Sequence, residues 1–115
     1  MFEQNKRNRG EITVCEFKSF YGDTFLEGRE IIDSNIDHLI ELEYYKTYTN
    51  TEEKRKTIYG VEVIKKEHFP NEVIEESKMI DLLTVDEPTI DKIIKKLQDN
   101  KVTPIGLPDV ISDML

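Results

Sequence analysis

Hydrophobic and polar residues alternate with period two along most of this chain and switch to helical spacing only near its end. From Glu11, the residues Ile12, Val14 and Glu16 share one face, while Thr13, Cys15 and Phe17 share the other. This predicts a strand ending near Tyr21-Gly22-Asp23, a turn-forming triplet. Thr24 to Ile32 fits either the returning arm of a hairpin or a short helix, and Asp33-Ser34-Asn35 reads as a turn. The clearest strand is His38 to Tyr48, with Ile40, Leu42, Tyr44 and Tyr48 on one face and Glu41, Glu43 and Thr47 on the other. The polar stretch Thr49 to Lys56 predicts an exposed loop. A strand over Thr57 to Lys66 follows, with Tyr59, Val61 and Val63 on one face and Ile58 and Ile64 on the other. Strands adjacent in sequence usually pair, so these two form an antiparallel hairpin. Phe69-Pro70-Asn71-Glu72 makes the next turn. Val73 to Leu83 reads as a weaker strand, interrupted by Glu75, Glu76, Ser77 and Lys78.

The period then changes. Ile90, Ile93, Ile94 and Leu97 stand at i, i+3, i+4 and i+7, one apolar stripe of a helix spanning Asp86 to Asn100. Thr84-Val85-Asp86-Glu87 has capping-box spacing, Asp86 is an alternative cap with Pro88 in the first turn, and Asn100 suits a left-handed C-cap. Pro108 can start a short terminal helix. Strands first and helices last predict an α+β fold, an antiparallel sheet of four to five strands with one longer helix and a short C-terminal helix on one face. Residues 1–10 are polar and basic and predict a disordered tail, leaving 11–115 as a single domain.

Composition reinforces the sheet. Ile and Val supply about half of the apolar residues, there is no alanine, and β-branched side chains pack well on a pleated surface. Charge narrows the partners: 24 acidic against 16 basic residues give a net charge of −8, a field that opposes approach to phosphate backbones. Nucleic acid is therefore not the expected partner, although Lys54-Arg55-Lys56 forms a small basic cluster. No apolar run reaches membrane-spanning length and no apolar leader follows Met1, so the chain is expected to be soluble, and with one cysteine, Cys15, cytoplasmic.

The second half also carries a pattern. A Tyr-Gly-aliphatic strand, Tyr59-Gly60-Val61-Glu62-Val63, leads through a further strand to a Thr/Asp-capped helix. The chain then closes on Val102-Thr103-Pro104-Ile105-Gly106-Leu107-Pro108-Asp109-Val110-Ile111-Ser112-Asp113-Met114-Leu115. Over residues 38–115 this resembles a domain-of-unknown-function family of small proteins from clostridia-type Firmicutes. The resemblance implies a bacterial cytoplasmic protein and brings no catalytic residues with it.

Candidate chemistry is sparse. His38, His68 and Cys15 lack the paired spacing of a zinc site, and Cys15 sits in a strand pattern as a small hydrophobe would. The five glycines are isolated, so no phosphate-cradling loop is formed, and no cofactor or metal is expected. Glu41 and Glu43 share a strand face and offer an acid–base or cation-holding pair, set against a solvated outer face. Tyr44, Tyr45, Tyr48 and Tyr59 cluster on the hairpin, and Leu107, Val110, Ile111, Met114 and Leu115 crowd the chain's end. All of these but Tyr45, eight residues, are the candidate partner contacts, set against ordinary core packing. The expected function is a protein-interaction or regulatory module without catalysis, binding an unidentified protein partner or a second copy of itself. The alternatives are a small hydrolase or metal-dependent enzyme using the outer-face carboxylates, and a nucleic-acid-associated protein acting through the basic cluster.

Overall fold

The computed structural model describes residues 7–9, 12–26, 38–51 and 56–115, with side chains from 17–26, 38–50 and 56–115. Four long strands, β2 (Ile12–Leu26), β3 (Leu39–Thr51), β4 (Lys56–His68) and β5 (Val73–Thr84), form an antiparallel sheet in sequence order. The three-residue β1 (Arg7–Arg9) borders β2. Two helices follow, α1 (Glu87–Asp99) and α2 (Leu107–Met114). This is the α+β architecture that the alternation and its late switch predict. Of the basic tail, Arg7–Arg9 lie in β1 and the remainder lies outside the described residues, as do Thr24–Ile32 beyond Leu26 and the turn at 33–35.

Alternation places one set of strand side chains against the helices. Leu42, Tyr44, Val61 and Val63 from the sheet meet Ile90, Ile94 and Leu97 from α1 and Leu107 and Ile111 from α2, all buried. The apolar stripe of α1 is the one its spacing predicts. Each such side chain contributes roughly 1.5–3 kcal/mol on burial, which is why α1 forms despite its modest length. The Asp86 carboxylate caps the helix by accepting from the Thr89 amide at 3.1 Å, with Pro88 in the first turn.

The C-terminus of α1 departs from expectation. Asn100 keeps φ −98°, and the left-handed residue is Lys101 at φ 52°. The Val102 amide donates to Leu97 O at 3.0 Å and the Lys101 amide to Gln98 O at 3.1 Å, which is the Schellman pattern, with Val102 and Leu97 as its buried apolar pair. Asn100 instead turns its side-chain amide onto Lys96 O at 2.8 Å.

Two further expectations are corrected. Tyr21-Gly22-Asp23 is not a turn: β2 continues to Leu26, and the triplet is a β-bulge where the register with β3 shifts between Phe20 and Gly22. The bulge brings the Tyr21 hydroxyl to Asp91 O at 3.3 Å and leaves Gly22 under α1, where a Cβ would lie 2.8 Å from Gln98 Nε2. Nor is Thr49–Lys56 all loop. Strand pairing runs to Thr51↔Lys56, Thr49 is buried, and only 52–55, outside the described residues, connect the strands. A second bulge faces Gly60, where β5 shifts register and Leu82 takes φ 58°. Here a Cβ would fall 2.5 Å from both Asp81 Cα and Ile80 O, so only glycine fits.

Candidate functional site

Both helices lie on one face of the sheet, so the register fixes what the other face displays. Strand alternation brings Lys18 and Phe20 of β2, Glu41, Glu43 and Tyr45 of β3, Glu62, Lys66 and His68 of β4, and Met79 of β5 to this outer face. The charges form a cross-strand ladder. The Lys18 ammonium donates to Glu62 Oε1 at 2.8 Å and stands 4.6 Å from the centre of the Tyr45 ring. The Tyr45 hydroxyl donates to Glu43 Oε1 at 3.1 Å, and Lys66 Nζ donates to the other oxygen of that carboxylate at 3.2 Å. His68 Nε2 lies 3.1 Å from Glu41 Oε1. Glu43 holds the Lys66 ammonium above its usual range, mainly through that hydrogen bond. Burial first, then the bond to Glu43, pushes the Tyr45 phenol up.

Glu41 and Glu43, the pair with acid–base potential, therefore each carry a cationic or protonatable neighbour. Opposite charges across a strand pair stabilise it by roughly 0.2–1 kcal/mol, the ordinary work of such a ladder. Between the charges lie exposed apolar side chains. Phe20 packs edge-on against Tyr45 at 5.6 Å between ring centres yet is 55% exposed, and Phe25 and Met79 are each 41% exposed. The face is mixed in charge and aromatic.

The eight candidate contacts of the sequence do not share a surface. Tyr44 is fully buried, its hydroxyl donating to Val102 O at 2.9 Å. Leu107 and Ile111 are core residues, Val110 and Met114 pack partly against that core, and Leu115 is exposed. The structure does join Tyr48 with Tyr59, whose rings meet edge-on at 5.6 Å on the helix-bearing face, with Lys46 Nζ 5.9 Å from each centre. The residues missed in the sequence are Lys18, Phe20 and Glu62, while Tyr45, read there as one of the hairpin's clustered tyrosines, stands on the outer face with them. Their signal is alternation within Phe17–Phe20 read together with the register to β3, which the sequence leaves open.

Other candidates disperse. His38 pairs with Glu67 at 2.9 Å and stacks on Phe69, apart from His68. The Cys15 side chain and Lys54-Arg55 lie outside the described residues, and Lys56 opens β4. Among the described residues, no group of three or more His, Cys, Asp or Glu is placed to hold a metal ion, and no helix is long and apolar enough to cross a membrane. A shallow cleft of about 290 Å³ lies between β5 and α2, lined by Glu76, Ser77, Lys78, Pro104, Ile105 and Pro108.

A model of a family of unknown function matches residues 24–115, four fifths of the chain. The chain belongs to the DUF6514 family. The match starts before residue 38, so the DUF6514 region takes in the last residues of β2 with β3, β4, β5 and both helices. No curated protein and no solved structure matches the chain. Within the DUF6514 region, the outer-face ladder of β3 and β4 is complete except for Lys18 and Phe20, which precede it.

Proposed function

We propose that this chain is a cytoplasmic protein-interaction module without catalysis of its own, and that it engages a protein partner through the outer face of its sheet. The observation that carries this reading is the exposure of Phe20, Phe25 and Met79 among charges that already have partners on the same chain. Aromatic and methionine side chains on such a face supply contact energy, and paired charges around them set register and specificity.

The test is quantitative affinity capture from native host extract with the full chain and with Phe20→Asp and Met79→Asp as baits. Circular dichroism melts first establish that the variants are folded. The proteins enriched on the wild-type bait should fall at least about tenfold on both variants, as expected when central apolar contacts are lost. Undiminished enrichment on folded variants overturns the outer-face reading.

A further inference from the structure

We propose that β5 is a self-recognition edge, pairing antiparallel with β5 of a second copy about a two-fold axis at Ser77. The inference goes beyond the outer-face reading, because an edge can pair whatever the face binds. β5 is the last strand of the sheet, twelve residues long, and no described strand pairs with its outer edge. Val73 to Met79 are all exposed, whereas Ile80, Asp81, Leu83 and Thr84 after them are half-buried. An open edge of this length is a template for another strand unless something blocks it.

The choice of a second copy comes from parity and charge. In an antiparallel pair, facing residues point to the same side of the sheet, so a two-fold partner must bring residues of equal parity together. The axis must then pass through a residue rather than between two. Centring at Glu76 sets Glu76 against its own copy, and centring at Lys78 sets Lys78 against its own. Centring at Glu75 repeats the conflict. Centring at Ser77 places Glu76 of each copy opposite Lys78 of the other, and Ile74 opposite Ile80, with two small serines at the axis. Lys78, which would otherwise guard the edge, meets a carboxylate instead. Glu76 lies 3.6 Å from Lys65 within its own chain, on the helix-bearing side, so its carboxylate already sits on the face this register requires.

A second feature falls at the same point. The cleft between β5 and α2 is lined by Glu76, Ser77 and Lys78, and Ile105 stands at it 76% exposed. The two-fold brings the clefts of both copies, and both Ile105 side chains, beside the axis. Such a contact is isologous and closes as a dimer. Because the axis is perpendicular to the sheet, both pairs of helices fall on one side and the two outer faces join into one plate.

The decisive experiment is sedimentation equilibrium of the full chain, with Glu76→Lys and Lys78→Glu made separately and then mixed. Wild type should approach twice the 13.5 kDa monomer mass as concentration rises from micromolar upward. Each single variant should weaken self-association at least about tenfold, since both symmetry-related pairs become like-charged. An equimolar mixture should restore it. Positions 76 and 78 are both cationic in the first variant and both anionic in the second, so opposite charges face each other only in the heterodimer. Recovery in the mixture also shows that both variants are folded. A wild-type chain that stays monomeric, a dimer indifferent to either substitution, or a mixture no tighter than its components overturns the proposal.

Discussion

Lys46 fastens α1 to the sheet, and its two sides should not be equally expensive to remove. The residue is 9% exposed, with Nζ 2.8 Å from Glu87 Oε2 and 2.7 Å from Asp91 Oδ1. Burial pulls the ammonium's pKa down, but the two carboxylates outweigh burial and hold it above the usual lysine range. The carboxylates themselves are 47% and 43% exposed. Replacing Lys46 by Met keeps the length of the stem and leaves two half-exposed carboxylates with only Asp91 Oδ1 buried, so the cost should be about 1–2 kcal/mol. Replacing both acids, in Glu87→Gln/Asp91→Asn, strands a buried cation and should cost about 3–5 kcal/mol. A further roughly 0.3–1 kcal/mol is lost with the negative charge in the first helical turn, which Glu87→Gln alone calibrates. Against a total stability of about 5–15 kcal/mol for a domain of this kind, the difference is large. Urea melts at pH 7 read it directly, provided the slope m is unchanged between variants. Should Lys46→Met shift the midpoint as far as the double variant, the asymmetry of burial would not govern this cluster and the reasoning would fail.

Other expectations follow from the core and from alkaline titration. Ile94 is fully buried in the α1 stripe whereas Lys95 is exposed and only pairs with Asp99 at 3.2 Å, so Ile94→Ala should cost about 2–5 kcal/mol and Lys95→Ala a few tenths. Equal midpoints in denaturant would refute the assigned face. Burial pushes the Tyr44 phenol well above its ordinary value of 10.0. A raised folded-state pKa means that the unfolded chain loses this proton first. The contribution is present below pH 10 and is lost above it, by about 1.4 kcal/mol per pH unit while only the unfolded form ionises. Tyr44→Phe should cost about 1 kcal/mol at neutral pH through the missing bond to Val102, and should flatten that alkaline slope in urea melts. An unchanged slope would locate the alkaline sensitivity elsewhere.

Where one face of an element is buried against another, the sequence is explicit. The alternation of Ile40, Leu42 and Tyr44 and the stripe of Ile90, Ile93, Ile94 and Leu97 appear in the fold as read, because core burial selects the residue type at every turn of the pattern. Departures arise where a distant contact decides between local options. Tyr21-Gly22-Asp23 suits a turn and a bulge equally well. What selects the bulge is α1 laid across it, with Gln98 Nε2 bonded to Asp23 O at 2.9 Å from 75 residues away. The same holds at the end of α1: Asn100 has the better left-handed propensity, yet Lys101 takes that conformation with its ammonium 3.1 Å from Phe25 O and Val102 seated in the core. Thr49 to Thr51 look like loop because polar side chains there hide the alternation, while the ladder to β4 continues beneath them.

The candidate surfaces are harder to read for a related reason. A buried face leaves a hydrophobic record in the sequence, whereas an exposed one is recorded only in which charges come to face each other, and that depends on register. Glu41 and Glu43 look like an isolated acidic pair until pairing sets them opposite Lys66 and Ile64, with Lys66 bonded to Glu43 on the diagonal and His68 to Glu41. β5 is the extreme case. Glu75, Glu76, Ser77 and Lys78 make it the weakest strand pattern of the chain, and among the described residues no strand pairs with its outer edge. The same interruption places Glu76 and Lys78 symmetrically about Ser77, an arrangement in which a strand meets its own inverted copy with opposite charges facing each other beside the axis. The feature that makes β5 hard to assign as a strand is thus the feature that suits it to pair with itself.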